Sequence, residues 1–229
     1  WSSDVCSSDL LGYSKNSLQL LDATSGAVLG TYPLSNLVTM SYANGLSGTV
    51  NACFALGTSA DGSKNIVVGF VPKNKTEWGV YVSEFLTIGY YDMAFVQIPN
   101  TQIFIFGGYD NMNYRVDILA FNLKDGVFVK FDQSVIEGDD NFADFELLLV
   151  DQTHFLVIAA EEFKFSAGFY MYSVKDGALS AAGDRYNMVP GYEISQENIA
   201  ISCATSSTSE KPQASCAISG KNTASFFVT

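Results

Sequence analysis

The chain has 229 residues, with 24 Asp and Glu against 12 Lys and Arg, for a formal net charge of −12. Nucleic acids and anionic lipid surfaces are gripped by basic patches that displace counterions, so this balance speaks against both as partners. A hydrophobic fraction of 48% allows a substantial core, yet no run of eighteen apolar residues marks a membrane-inserted helix.

Nineteen glycines, 14% aromatic residues and scarce helical periodicity predict an all-β chain. The first ten residues, Trp1–Leu10, are identical to the translation of a common sequencing adapter. They are expected to be an artefact of assembling short reads from a transcriptome or metagenome, and are set aside from fold reasoning. Without Asp4 and Asp9 the charge becomes −10, and Cys6 drops out of the cysteine count. Leu11–Tyr32 reads as the back half of a first repeat, with Leu20-Leu21-Asp22-Ala23-Thr24-Ser25-Gly26-Ala27-Val28 as a strand, a turn and the start of a strand. Leu37–Tyr42 is the expected first strand of the next unit, and Asn44-Gly45 and Ser47-Gly48 mark turns. Asn51–Val82 supplies the rest of that unit, and Phe85–Ile98 opens the third.

Ile103–Asp132 is the clearest stretch. Ile103–Phe106 ends at Gly107-Gly108, Asp117–Leu123 alternates, and Val127–Phe131 follows Lys124-Asp125-Gly126. Asp-Gly between apolar runs signals a hairpin, because glycine accepts the positive φ of a tight turn. Asp132–Asn141 is an acidic connector. Phe142–Val150 and His154–Ala181 form a fourth unit, with Met171-Tyr172-Ser173-Val174-Lys175-Asp176-Gly177-Ala178-Leu179 repeating the turn. A last unit runs through Ile199–Cys203, Ser215–Ser219 and Ala224–Val228.

Gly126 lies 100 residues after Gly26, and Gly177 lies 51 after Gly126. A period of roughly 50 with about four short strands per unit predicts a β-propeller. The expected units are 11–33, 34–83, 84–133, 141–184 and 186–229, about four to five blades. A closed ring of six or seven would need roughly 300–350 residues, so the coding sequence is expected to continue beyond both ends.

The central unit resembles the kelch repeat. Gly107-Gly108 is followed by twelve residues, Phe121, six residues and Phe128. The preceding unit has Gly57-Thr58, Phe70 and Trp78; the following one has Ala159-Ala160, Tyr172 and Leu179. Leu21-Asp22-Ala23-Thr24-Ser25-Gly26 is closer to the quinoprotein turn. The resemblance implies a propeller whose glycines serve turns and close strand approach, and whose Phe70, Trp78, Phe121, Phe128 and Tyr172 fill the space between blades. It does not carry a copper oxidase activity of the galactose oxidase kind, which needs two histidines where this chain has one.

That one, His154, follows Asp151-Gln152-Thr153 in a turn and is read as structural or solvated. No nucleophile-and-base motif, HExxH or P-loop is present, so no catalytic residue and no cofactor are expected. Glu137, Asp139, Asp140, Asp144 and Glu146 lack EF-hand spacing; they are read as a solvated loop, with Asp139, Asp140 and Asp144 as weak calcium candidates. Cys203 and Cys216 sit on two arms of one predicted hairpin, either as a disulfide or as two buried thiols. Cys53 is left odd and buried. Asn74-Lys75-Thr76 is an N-glycosylation pattern, which with the cysteines leans toward an extracellular or secretory setting.

Binding is therefore expected over catalysis: a scaffold that presents inter-blade loops to a protein or glycan. The candidate loops are Tyr109–Asn113, Glu161–Ser166 and Ser206–Lys211, with Tyr109, Asp110, Tyr114, Glu161 and Glu162 as contact residues. Tyr90, Tyr91, Tyr186 and Tyr192 are expected as further exposed aromatics. The alternatives are a fragment of a propeller enzyme whose catalytic groups lie in missing sequence, and a structural subunit that self-associates through open sheet edges.

Overall fold

The computed structural model describes residues 2–6, 9–44, 50–73, 77–85, 90–110, 112–138, 142–161, 166–182, 186–188, 200–206 and 213–219. The chain is an all-β partial propeller, and no helix occurs among the described residues. Its first sheet joins β1 (Ser2–Cys6), β2 (Asp9–Ser14), β3 (Ser17–Asp22) and the front of β4 (Val28–Asn44). The back of β4 continues with β5 (Val50–Ser59), β6 (Asn65–Pro72) and β7 (Trp78–Phe85). The third group is β8 (Tyr90–Gln97), β9 (Ile103–Asp110), β10 (Arg115–Lys124) and β11 (Val127–Glu137). A fourth consists of β12 (Phe142–Leu149), β13 (His154–Glu161) and β14 (Ser166–Lys175), whose outer edge pairs with β15 (Ala178–Ala181) and then β16 (Tyr186–Met188). The hairpin of β17 (Ala200–Ser206) and β18 (Gln213–Ser219) follows. All pairings within these groups are antiparallel.

Tight turns set the registers. Lys15-Asn16, Asp125-Gly126 and Asp176-Gly177 all have both residues at positive φ, between 50° and 81°, the two-residue turn that matches strand twist. The Asp22–Gly26 turn works differently. Asp22 Oδ1 accepts from Thr24 N (3.0 Å), Ser25 N (2.6 Å) and Ser25 Oγ (2.8 Å), which winds the chain so that Gly26 takes φ 69°.

Alternation along each strand divides the core among neighbours. On β5, Cys53 and Ala55 face the first sheet and join Leu18, Leu20, Ile66 and Phe70, while Phe54 and Leu56 face the third group. On β9, Phe104 and Phe106 face the second group, whereas Ile105 packs with Phe145, Leu147 and Phe155 of the fourth. Inner positions of β6, β9 and β10 are buried without interruption, because a blade is covered on both faces. Gly107 shows how close that cover is: a Cβ there would stand 2.7 Å from Leu147 Cδ1 and 2.8 Å from Phe145 Cε2. Phe70, Phe121, Phe128 and Tyr172 are buried in the cores, and Trp78 packs partly buried against the cluster that holds Phe70.

Two features depart from expectation. Leu37–Tyr42 is not a separate strand: β4 runs 17 residues without a turn, so the expected units 11–33 and 34–83 share it. Register shifts between Leu34 and Asn36 and between Leu37 and Thr39 turn the strand while keeping its ladder. Second, Ser2–Cys6, set aside as adapter-derived, pairs with Asp9–Tyr13. An open edge accepts any extended neighbour, so this pairing bears on conformation and not on origin.

The second and third groups also touch at both margins. β4 meets β8 in parallel at Ala43–Phe95 and Asn44–Val96, and β7 meets β11 at Val82–Val127. Eight strands thereby close a ring around Phe54, which stacks on Phe95 with centroids 3.7 Å apart.

Candidate functional site

The β9–β10 turn is organised by a buried carboxylate. Asp110, fully buried, accepts from Met112 N (3.1 Å), Asn113 N (3.3 Å) and Asn113 Nδ2 (2.6 Å), with Arg115 Nε 3.7 Å away. This corrects Asp110 as a contact residue: its charge is spent on backbone donors and an arginine. Tyr109, expected at the surface, is only 7% exposed, because its ring meets Phe142 edge to face at 5.8 Å. Tyr90 is likewise buried, donating its hydroxyl to Asp117 Oδ2 at 2.6 Å. What the turn does present is Met112 at 73% exposure and Tyr114 at 45%, the latter at φ 52°. Tyr90 pairs across the ladder with Asp110, which brings Tyr91, 68% exposed, beside the same turn.

Other expected residues fall elsewhere. Glu161 ends β13, with its backbone paired to Phe142 and Ser166; Glu162, Tyr192, Asn74, Asp139 and Asp140 lie outside the described residues. Tyr186 opens β16. His154 is held by its own turn, with Nδ1 2.9 Å from Asp151 Oδ2. Burial pushes the Asp151 carboxyl up, but the N–H of Thr153, the imidazole and the N–H of His154 together outweigh it and hold the carboxyl below its usual range. Cys203 and Cys216 are direct partners in the β17–β18 ladder. Cys53 is buried as expected but not odd: it is disulfide-bonded.

Two constellations are assembled differently from the sequence reading, which groups Asp144 and Glu146 with Glu137, Asp139 and Asp140 and names neither Asp92 nor the groove beside β10. Asp144 and Glu146 on β12 and Asp92 on β8 gather around a small cavity of about 190 Å³ that Ser41 and Tyr42 of β4 also line. Burial, then Asp144 and Asp92, push the Glu146 carboxyl up to about 7; burial also raises Asp92. Asp144, expected in a solvated loop, lies on β12 beside this cavity and accepts from Phe145 N at 2.9 Å. Among the described residues, no three His, Cys, Asp or Glu side chains are grouped to hold a metal.

The second is a cavity of about 870 Å³ between β7 and the facing side of β10 and β11. Arg115, Asp117, Leu119 and Phe121 alternate on one face of β10, so all four line it. Arg115 Nε lies 3.0 Å from Asp117 Oδ1. That alternation is the signal a sequence reading could have used, since two opposite charges on a face otherwise filled with Leu and Phe mark a polar end to a groove.

No family matches the chain, and no curated protein matches it. Solved structures do. A triple arginine-to-alanine mutant of AofleA from Arthrobotrys oligospora aligns at 10% identity and TM-score 0.52, over 82% of this chain and 52% of that one. The WD40 domain of Toxoplasma gondii coronin aligns at 12% identity and TM-score 0.51, over 87% and 47%. The chain thus spans about half the length of the structures it resembles. At such identities the likeness speaks to architecture, and with the repeated four-stranded sheets and their shared cores it makes this chain part of a β-propeller.

Proposed function

We propose that the chain is a non-catalytic binding scaffold, a kelch-like propeller segment that offers the loops at one end of its blades to a protein or glycan partner. The observation that carries this reading is the Asp110 turn. A fully buried carboxylate and its donors fix the backbone, and the fixed backbone holds Met112, Tyr114 and Tyr91 out into solvent. Tyrosine brings large area at low entropy cost to a contact, and methionine adapts to its shape. The kelch-like assignment draws on Gly107-Gly108 near the end of β9, with Phe121 on β10 and Phe128 on β11 both buried.

The test compares Tyr91→Ser, Met112→Ser and Tyr114→Asn with the parent chain against arrayed glycans and a secreted-protein library. Asn tolerates the positive φ at position 114, and exposed substitutions of this kind change stability by roughly 0.5 kcal/mol or less. Ligands that bind the parent should lose affinity to the variants. Ligands held equally by all three variants would remove this surface from the proposal.

A second reading, part of a propeller enzyme, draws on Glu146. A carboxyl near pH 7 beside two others suits general acid–base work. The histidine does not join it, since His154 is tied to Asp151 in its own turn.

A further inference from the structure

The cavity between β7 and the β10–β11 hairpin has the chemistry of a ligand site, and it stands apart from the loop surface described above. It is closed at one end where Val82 of β7 pairs with Val127 of β11. The cavity lies beside that pairing, lined by Val82 and Ser83 of β7, Tyr90 of β8 and the facing residues of β10 and β11. Its volume, about 870 Å³, falls within the size range of small-molecule sites.

The lining selects a class of ligand. Leu119, Phe121 and Phe128 make an apolar wall. At the polar end stands Arg115, 30% exposed, its charge met by Asp117 at 3.0 Å and Asp110 at 3.7 Å. Two buried carboxylates against one guanidinium leave N–H donors without a net positive field. On β11, Gln133 brings a further donor and acceptor, and Lys130 donates to its Oε1 at 2.8 Å. An anion entering here would meet Asp110 and Asp117 behind the arginine. A cation would meet Arg115 and Lys130. A wholly apolar ligand would take Arg115 and Gln133 out of water with nothing to bond. A neutral ring with hydroxyls on one edge and C–H groups on its face satisfies every wall at once.

We propose that this inter-blade cavity binds a neutral sugar residue, with Arg115 and Gln133 contacting its hydroxyls and Leu119 and Phe121 its apolar face. Val135 stands at the rim, 37% exposed, so Val135→Trp fills the mouth without touching the core. Gln133→Ala removes one polar contact.

The experiment is ligand-observed NMR and calorimetry on the full chain, with neutral hexoses and deoxyhexoses and their oligosaccharides, and with sulfated and sialylated glycans for comparison. A neutral sugar should bind at millimolar concentration or better, with little dependence on salt. Affinity should fall about tenfold or more in Val135→Trp and measurably in Gln133→Ala, with both variants folded by circular dichroism. Thr24→Ala, in the Asp22–Gly26 turn outside both surfaces, should leave it unchanged. Binding of sulfated or sialylated glycans alone, loss of binding on adding salt, full affinity in Val135→Trp, or no neutral sugar bound at all would each overturn the assignment.

Discussion

Asp110 and Glu146 are both enclosed carboxylates in a chain rich in acid, and their neighbours treat them in opposite ways. Around Asp110 stand donors: two backbone N–H groups, an amide and an arginine. Around Glu146 stand Asp144 and Asp92, both acidic. Burial and these charges hold its carboxyl near 7 in the folded chain, above the ordinary value of 4.5. The folded state then keeps a proton that the unfolded state has released. Stability falls as pH rises from about 4.5 to 7 and levels off above, by up to about 3 kcal/mol, less where water still reaches the group. Urea unfolding at pH 5 and pH 7.5 should show this loss in the parent, and Glu146→Gln should flatten it. An equal slope in both proteins would assign the effect to other groups.

Strands join their neighbours through side chains as well as ladders. β11 bulges between Lys130 and Asp132, where Phe121 and Ala120 of β10 change register. The bulge turns Asp132 outward, and its Oδ2 accepts the backbone N–H of Leu179 on β15 at 2.7 Å. Two residues on, Ser134 Oγ reaches Tyr172 Oη at 3.2 Å. The Leu179 and Gln133 N–H groups hold the Asp132 carboxyl below its usual range, so this tie is present above the ordinary carboxylate range and is lost as acid protonates it. Asp132→Ala should therefore speed amide hydrogen exchange at Leu179 while leaving β12 and β13 protected. Unchanged exchange at Leu179 would mean that apolar contact alone docks β15.

Across the molecule, stability is shared between neighbours, because alternate residues of one strand serve two different cores. Phe54 belongs to β5 yet stacks on Phe95, and it lies within 5.6 Å of Phe104 and 5.9 Å of Phe128, all three in the next group. Phe54→Ala should cost roughly 3–5 kcal/mol, as large truncations in packed cores do. The loss should spread: amides of β6 and of β10 should lose protection together, as expected when units stack through their interfaces. Full protection of β10 in this variant would show that the two groups fold independently. The same sharing puts the inter-blade cavity beside a common core, since Leu119, Phe121 and Phe128 belong to that core and also line the cavity.

Much of this was legible in order along the chain. Asp125-Gly126 and Asp176-Gly177 announce their turns, because few residue pairs adopt positive φ twice in succession. Uninterrupted apolar runs such as Ile103–Phe106 announce strands covered on both faces, and the recurring spacing announces a propeller. Local backbone preference and period-two alternation act over a few residues, so the order of residues alone determines them. Which aromatics meet solvent was not decided there. Tyr90, Tyr91, Tyr109 and Tyr114 look alike in sequence, yet two are buried by Asp117 and Phe142, residues from other strands, and two are left exposed. The uninterrupted course of β4, the carboxylates of β8 and β12 and the cavity beside β7 are likewise products of tertiary structure. Each depends on strands far apart in the chain meeting side by side, and no local pattern encodes that distance.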